Sequence, residues 1–182
     1  MSIPRHPTTP KLTIYTIGHS TREIDDFLAV LDAYDIEILV DVRSVPRSRF
    51  TPQFNSDALS DALIKSHITY HHLADLGGLR HSRKGSSNQG WHNASFRGYA
   101  DYMQTPDFRR GISQLLELAV KQTAIMCAEA VPWRCHRSMI GDALLARGYE
   151  VVDIFDKRKT QIETMTTFAR VSGTSITYPA EE

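Results

Sequence analysis

Short apolar runs alternate with helix-like stretches along most of this chain. The first run, Leu12 to Ile17, is rich in β-branched residues and ends at Gly18, and apolar residues then recur at helical spacing from Ile24 to Leu31. Ser20 lies three residues before Glu23, which is the spacing of a capping box. The pattern therefore predicts a strand followed by a helix that begins near Ser20.

The same alternation continues through four more predicted strands, which are Ile36 to Val42, Ile68 to Leu73, Thr123 to Ala128 and Tyr149 to Phe155. Three more helices are predicted. One follows Asn55, one begins at the threonine cap and proline of Thr105-Pro106, and one ends at Gly148. Strands that alternate with helices form a mostly parallel sheet with helices on both faces. We therefore predict an α/β fold: a single, three-layer, Rossmann-like domain with an open sheet of about five strands.

Three segments fall outside this alternation. Residues 1–10 contain three prolines and predict a flexible arm, residues 11–156 form the predicted domain, and residues 157–182 are a polar extension. Within the domain, residues 77–98 are rich in glycine and serine and predict an irregular loop. A lid over an anionic ligand and a solvated surface loop are both consistent with its cationic and aromatic residues, which are Arg80, His81, Arg83, Lys84, Trp91 and His92.

Composition excludes several classes of protein. The 182 residues include 21 Lys and Arg and 21 Asp and Glu, so no global charge attracts nucleic acid or an anionic membrane. The 2 cysteines are too few for a disulfide framework, and the first residues lack the apolar run of a signal peptide, so a cytoplasmic location is the default expectation. No apolar run approaches the roughly 20 residues of a membrane span. The sequence indicates neither a cofactor nor an oligomeric state.

Polar residues collect where the predicted strands end. Ligands of open parallel sheets bind outside the carboxyl ends of the strands, where helix N-termini converge. The substrate-binding candidates at these ends are His19, Ser20, Asp41, Arg43, Arg134 and Arg137. A helix cap is the simpler interpretation of Ser20, whereas Asp41 and Arg43 fit a buried salt bridge as well as a ligand site.

The segment CAEAVPWRCHRS, from Cys127 to Ser138, supplies the catalytic candidates Glu129, His136, Cys135 and Cys127. Cysteine phosphatases hold an anion in a loop between a cysteine and an arginine, but here Arg134 lies one residue too far away and the loop has no glycine. The setting of Cys135, near a helix N-terminus and beside arginines, is one that lowers the pKa of a thiol.

A zinc site is a further interpretation of the same segment. Tetrahedral zinc needs about four ligands, and this chain offers Cys127, Cys135, His136 and one of His19, His71 or His72. The two cysteines do not form a C-x2-C knuckle. We therefore assign no metal ligands from the sequence.

Five ordered motifs, TIGHS, DVRSVPRSRF, ITYHHLADLGGLR, FRGYADYM and CAEAVPWRCHRSMIGDAL, cover the chain from Ile14 to Ile154. This set resembles the bacterial domain-of-unknown-function family number 488. The resemblance implies one Rossmann-like α/β domain and supplies no reaction. Its typical elements match Gly18 to Ser20, Asp41 to Arg43, Leu76 to Gly78, and Cys127, Glu129, Cys135, His136 and Arg137.

The leading functional hypothesis is an enzyme or ligand-binding domain that acts on a phosphate-bearing substrate, such as a nucleotide or a nucleic-acid end. Arg43, Arg134 and Arg137 would hold the anion, with Glu129 or His136 as general acid or base. One alternative is sulfur transfer or redox chemistry at Cys135 or Cys127, as in rhodaneses. Another is a nucleic-acid-binding or regulatory module that uses the basic loop and residues 46–50, against which the zero net charge counts.

Overall fold

A six-stranded sheet forms the centre of the computed structural model, which describes residues 12–180. The predicted N-terminal arm lies outside these residues. The strands are β1 (Thr13–Gly18), β2 (Ile38–Asp41), β3 (Thr69–His72), β4 (Thr123–Cys127), β5 (Glu150–Ile154) and β6 (Thr160–Ile162). Their order in the sheet is β3-β2-β4-β1-β5-β6; β1 to β5 are parallel and β6 is antiparallel.

Helices cover both faces of this sheet, because successive residues of each strand point to opposite sides. The helices are α1 (Ile24–Asp32), α2 (Ser56–Lys65), α3 (Ala94–Tyr102), α4 (Pro106–Leu118) and α5 (Arg137–Leu145). Ile17 and Met126 pack with α1 and α2 on one face, whereas Ile14 and Ile125 pack with α3, α4 and α5 on the other. The predicted three-layer, single-domain α/β fold is confirmed.

The sequence signals for helix starts are confirmed at α4 and wrong at α1. At α4 the Thr105 hydroxyl accepts a hydrogen bond from the Phe108 amide at 3.3 Å, and proline occupies the first turn, as predicted. The capping box at Ser20 is wrong, since α1 begins at Ile24 and Ser20 adopts a φ of 51°. The chain continues to pair past the end of β1, where the Ser20 amide donates to the Ala128 carbonyl at 2.9 Å, so the helix starts later.

The core extends beyond residue 156 into the polar C-terminal segment. After β6, a hairpin of β7 (Arg170–Ser172) and β8 (Ser175–Thr177) brings Ile176 and Tyr178 into the core. The Tyr178 hydroxyl donates to the Asp142 carboxylate at 2.8 Å. Two apolar residues in a polar stretch show no periodicity, which is why the sequence pattern does not reveal this packing.

Glu163 follows β6 and places a carboxyl group against the backbone of α5, where a Cβ on Gly141 would overlap Oε2. That oxygen has no hydrogen-bond partner among residues 12–180. Burial, together with the charges of Asp153 and Asp142, raises the pKa of Glu163 from 4.5 to about 9. The folded protein therefore holds a proton that the unfolded chain releases throughout this pH range.

We accordingly expect the free energy of unfolding to fall as the pH rises from 5 toward 9, and Glu163→Gln to weaken this fall. At pH 9 the variant should be more stable than the wild type by about 2 kcal/mol or more, because one pKa unit corresponds to about 1.4 kcal/mol. Urea unfolding at several pH values measures the difference. Glu117→Gln, which removes an exposed carboxylate from α4, should follow the wild type. Parallel pH profiles for all three proteins would contradict the expectation.

Within residues 12–180, every helix falls short of the length and apolar character that a membrane span requires.

Candidate functional site

A cleft of about 430 Å³ opens at the carboxyl ends of β2 and β4. This is the edge of the sheet where the polar strand exits predicted a site. The segment after β2, the start of α3, the loop before it and the turn between β4 and α5 all contribute to its walls. The lining residues are Arg43, Ser44, Val45, Gly78, Leu79, Ser95, Phe96, Cys127, Ala128, Glu129, Arg134, Cys135 and His136.

Cys127, Cys135 and His136 come together in the wall of this cleft. Cys127 is the last residue of β4, and the other two immediately precede α5. The His136 Nδ1 atom lies 3.9 Å from the Cys127 sulfur and 3.7 Å from the Cys135 sulfur. Both cysteines are free thiols and buried. We call these three residues the Cys2His cluster.

The imidazole of His136 is held in one orientation from three sides. Its Nε2 atom lies 3.0 Å from the Val42 carbonyl oxygen. A carbonyl can only accept, so Nε2 carries the proton and the Nδ1 lone pair faces the two sulfurs. The Tyr99 ring packs at 4.9 Å between centroids, and a Cβ on Gly78 would overlap Nδ1. A side chain at Gly78 would therefore displace the imidazole.

The two thiols of the cluster differ in acidity. A hydrogen bond from Cys127 lowers the pKa of Cys135 to about 7, helped by the charge and the amide of Arg137 against the opposing effect of burial. The same hydrogen bond, together with burial, raises the pKa of Cys127 above its ordinary value. The cluster by itself thus favours a negative charge on Cys135, in agreement with the expectation for a thiol beside a helix N-terminus.

Arg43 and Asp41 form a buried ion pair. The guanidinium donates to Asp41 through Nη2 at 2.6 Å and Nε at 2.9 Å, and Nη2 also donates to the Phe54 carbonyl at 2.7 Å. Tyr70 donates its hydroxyl to the same carboxylate at 2.8 Å. Burial lowers the pKa of Arg43, but the hydrogen bond to Asp41 and the negative charge of Asp41 outweigh this effect, so the pKa of Arg43 is raised. Of the two interpretations left open by the sequence, the structure shows the salt bridge.

His19 and Ser20 lie behind this ion pair and do not line the cleft. The His19 ring stacks on Phe54 at 4.2 Å, and its Nδ1 contacts the Ser20 carbonyl at 2.7 Å. Its Nε2 lies 3.2 Å from Nη1 of Arg43 and therefore accepts from it. Burial lowers the pKa of His19 to about 4. His19 thus acts as a neutral acceptor that orients Arg43.

Arg137 is 1% exposed and serves as an internal clamp. Its guanidinium donates to the carbonyls of Glu129 and Ala130 and, at 3.3 Å, to the Thr16 hydroxyl. Thr16 in turn donates to Asp153 on β5. These bonds hold the loop between β4 and α5 against the sheet, and they engage the donors that an anion in the cleft would need.

Arg134 and Glu129 are the charged side chains of this loop that face solvent. Both are exposed and line the cleft. Neither forms a salt bridge within residues 12–180. Of the three arginines predicted to bind an anion, the structure therefore leaves Arg134 available.

The loop of residues 77–98 is attached to the domain by its own polar groups. The Arg80 guanidinium lies 3.6 Å from the centre of the Tyr102 ring. The backbone amide of Arg83 donates a hydrogen bond to the Asp101 carboxylate, and the Arg83 guanidinium donates one to the Asp101 carbonyl. Asn88 is buried and bridges Asp101 and Tyr178. The irregular segment also ends earlier than predicted, because α3 begins at Ala94.

One known protein family matches this chain. The sequence model of the family DUF488, a domain of unknown function, matches residues 23–144, which is most of the chain. The chain belongs to this family. The match confirms the resemblance that the five motifs indicated, and the family name assigns no activity. No curated protein and no solved structure matches the chain.

The sequence missed the groups that orient the cluster. Gly78 belongs to a motif of the DUF488 resemblance, and its glycine was the available signal. Nothing in the sequence marks the Val42 carbonyl as the partner of His136. His19, His71 and His72, which were considered as a fourth metal ligand, are not among the residues whose ligand atoms lie together with the cluster.

Proposed function

We propose that the cleft binds a small substrate that carries an anionic group, in the first instance a phosphate-bearing one, and that the Cys2His cluster is its reacting centre. The observation that carries this proposal is the convergence of three polar, chemically reactive groups on a cleft that also exposes an unpaired arginine. Most ligand sites combine a concave, largely apolar surface with a few such groups.

Arg134 supplies the recognition of the anion. Its guanidinium is exposed and lines the cleft, and a planar guanidinium matches the oxygens of phosphate or carboxylate. Arg43 is neutralised by Asp41, and Arg137 is occupied by backbone carbonyls. The specificity for an anion thus rests on one side chain of the turn between β4 and α5.

The remaining walls suit an apolar or aromatic portion of the same substrate. Leu79 is 77% exposed and Val45 is 62% exposed, and both line the cleft together with Phe96. Exposed apolar side chains in a concave surface bind apolar groups by removing them from water. A nucleotide, with a planar base and a phosphate, has this combination.

Glu129 and His136 are the proton-transfer groups of the proposed site. The Glu129 carboxylate is exposed at the cleft, and the His136 Nδ1 lone pair is directed into the cluster. A group at hydrogen-bond reach of the substrate can accept or return a proton during the reaction. Glu129 acts from the solvent side and His136 from the buried side.

Titration calorimetry with adenosine monophosphate tests the recognition step. Arg134→Glu should weaken binding by tenfold or more, because one charge-assisted bond is replaced by repulsion. Arg109→Glu, which changes an exposed arginine of α4 away from the cleft, makes the same charge change and should bind like the wild type. Equal weakening in both variants, or no binding by the wild type, would argue against the proposal.

Sulfur transfer is the second candidate, favoured by a thiol that lies in an anion-accessible cleft at a helix N-terminus. In such a reaction the Cys135 thiolate attacks the outer sulfur of thiosulfate, releases sulfite and retains that sulfur as a persulfide. Cyanide then removes the sulfur as thiocyanate and regenerates the thiolate. Formation of thiocyanate that is lost in Cys135→Ser would support this candidate, and a rate equal to that of the variant would eliminate it.

A further inference from the structure

We infer that Cys127, Cys135 and His136 bind a thiolate-preferring divalent metal ion, of which Zn²⁺ is the first expectation, with an open coordination position toward the cleft. This inference deepens the proposed function by naming the cofactor of its reacting centre. It depends on that proposal only for the role of the open position. The binding of the metal itself stands on the geometry of the three side chains.

The distances within the cluster match those between ligands of one metal ion. Zinc binds cysteine sulfur at about 2.3 Å and histidine nitrogen at about 2.0 Å, and tetrahedral angles then separate nitrogen and sulfur by about 3.5 Å. The observed distances from Nδ1 are 3.7 Å to Cys135 and 3.9 Å to Cys127. All three ligand atoms lie within 4.8 Å of one another. Both nitrogen–sulfur distances are therefore within a few tenths of an ångström of the value for ligands of one zinc ion.

The orientation of His136 is that of a metal ligand. Histidines that bind metals almost always donate their other ring N–H to a carbonyl or carboxylate, which fixes the tautomer. His136 does so through Nε2 to the Val42 carbonyl, and Nδ1 consequently presents its lone pair to the two sulfurs. Gly78 and Tyr99 prevent the ring from turning away.

The charge of the cluster favours a cation of this type. Both cysteines are buried, and two thiolates in such a place would be costly without a counter-charge. A divalent ion neutralises both, and neutral imidazole completes the set without adding charge. Arg137 contributes one nearby positive charge, but its guanidinium donors are directed to the carbonyls of Glu129 and Ala130, and one charge does not neutralise two thiolates.

Three protein ligands leave one tetrahedral position for water or substrate, which is the pattern of catalytic rather than structural zinc. The three ligands line the cleft, and so do Glu129 and Arg134. A metal here would polarise a substrate atom that Arg134 positions. Because the Nδ1 lone pair of His136 would then bind the metal, proton exchange with the substrate would fall to Glu129 alone. The soft thiolates favour zinc or copper over magnesium and calcium, which prefer oxygen ligands.

The purified protein, freed of metal with a chelator, is titrated with Co²⁺ as a spectroscopic substitute for Zn²⁺. We expect binding of one ion per chain, with a thiolate-to-cobalt charge-transfer band and visible bands of tetrahedral intensity. Zn²⁺ should displace the Co²⁺ and abolish the spectrum. Elemental analysis of protein as first purified gives an independent count.

Cys127→Ser, Cys135→Ser and His136→Ala should each weaken binding by more than 100-fold, which exceeds the roughly 10–100-fold cost of losing an outer-shell partner. The matched control is His72→Ala, because the Nε2 atom of His72 also contacts a backbone carbonyl, that of Arg43 at 2.8 Å, but His72 does not belong to the Cys2His cluster. It should bind Co²⁺ like the wild type. Circular dichroism of the metal-free proteins verifies that each variant is folded.

Absence of the charge-transfer band in the wild type, or equal Co²⁺ affinity in the wild type and in folded His136→Ala, would overturn the inference. Its failure is distinguishable from failure of the proposed function. If cobalt binds but Arg134→Glu leaves nucleotide binding unchanged, the metal site stands and the substrate proposal falls. If nucleotide binding depends on Arg134 but no variant changes the metal affinity, the substrate proposal stands and the metal site falls.

Discussion

Arg137→Ala is expected to lower the free energy of unfolding by about 3–5 kcal/mol, the cost of removing one member of a buried charged network. The guanidinium is fully enclosed and bonds to two carbonyls of the turn between β4 and α5 and to Thr16. Its loss leaves those carbonyls without donors. It also removes a positive charge near Asp153, where burial raises the pKa of the carboxyl and the charge of Arg137 lowers it.

The matched control for this prediction is Arg134→Ala, three residues earlier in the same turn. Arg134 is exposed and forms no salt bridge within residues 12–180, so its removal should change stability by no more than about 0.5 kcal/mol. Urea denaturation followed by fluorescence measures both. Equal losses in the two variants would show that Arg137 does not clamp the turn.

Asp41→Asn is expected to destabilise the protein by a similar amount, about 3–5 kcal/mol, because it leaves the buried guanidinium of Arg43 without its counter-charge. The carboxylate also accepts hydrogen bonds from the Arg43 amide and from Tyr70. An amide of the same shape can replace part of these bonds but none of the charge. The loss should therefore exceed that of an ordinary hydrogen bond, about 1 kcal/mol.

Asp61→Asn is the control for Asp41, since it makes the same change at an exposed position of α2. Its effect on the midpoint of urea unfolding should be negligible. A small effect at both positions would mean that Arg43 reaches water or another anion when Asp41 is neutralised. Arg43 would then be available to bind a ligand.

The tests of thiol chemistry and of metal binding bear on each other. A metal ion that occupies the Cys2His cluster uses both thiolates as ligands, so the sulfur-transfer candidate requires the cluster to be free. Cobalt titration and the thiosulfate assay on the same preparation therefore separate the two chemistries. Binding of the metal should suppress any persulfide formation at Cys135.

Most of the architecture was predictable because it depends on local pattern. Strands covered on both faces must be apolar throughout, which made β2 and β4 visible, and the Thr105-Pro106 cap marked the start of α4. The start of α1 was not predictable. Ser20 has the correct spacing for a capping box, but the pairing of its amide with Ala128, more than a hundred residues away, prevents the helix from beginning there.

By itself, the sequence determined the layers of the fold and the edge of the sheet where the cleft opens, because apolar periodicity is a local property and parallel strands bring their carboxyl ends to one edge. Only the tertiary structure decided which charges remain available. Arg43 and Arg137 look equivalent to Arg134 along the chain, but the first is neutralised by Asp41 and the second is enclosed by Thr16 and the loop carbonyls. Likewise, the Val42 carbonyl and Gly78 direct His136 toward two cysteines, since contacts between distant segments fix the orientation of a side chain.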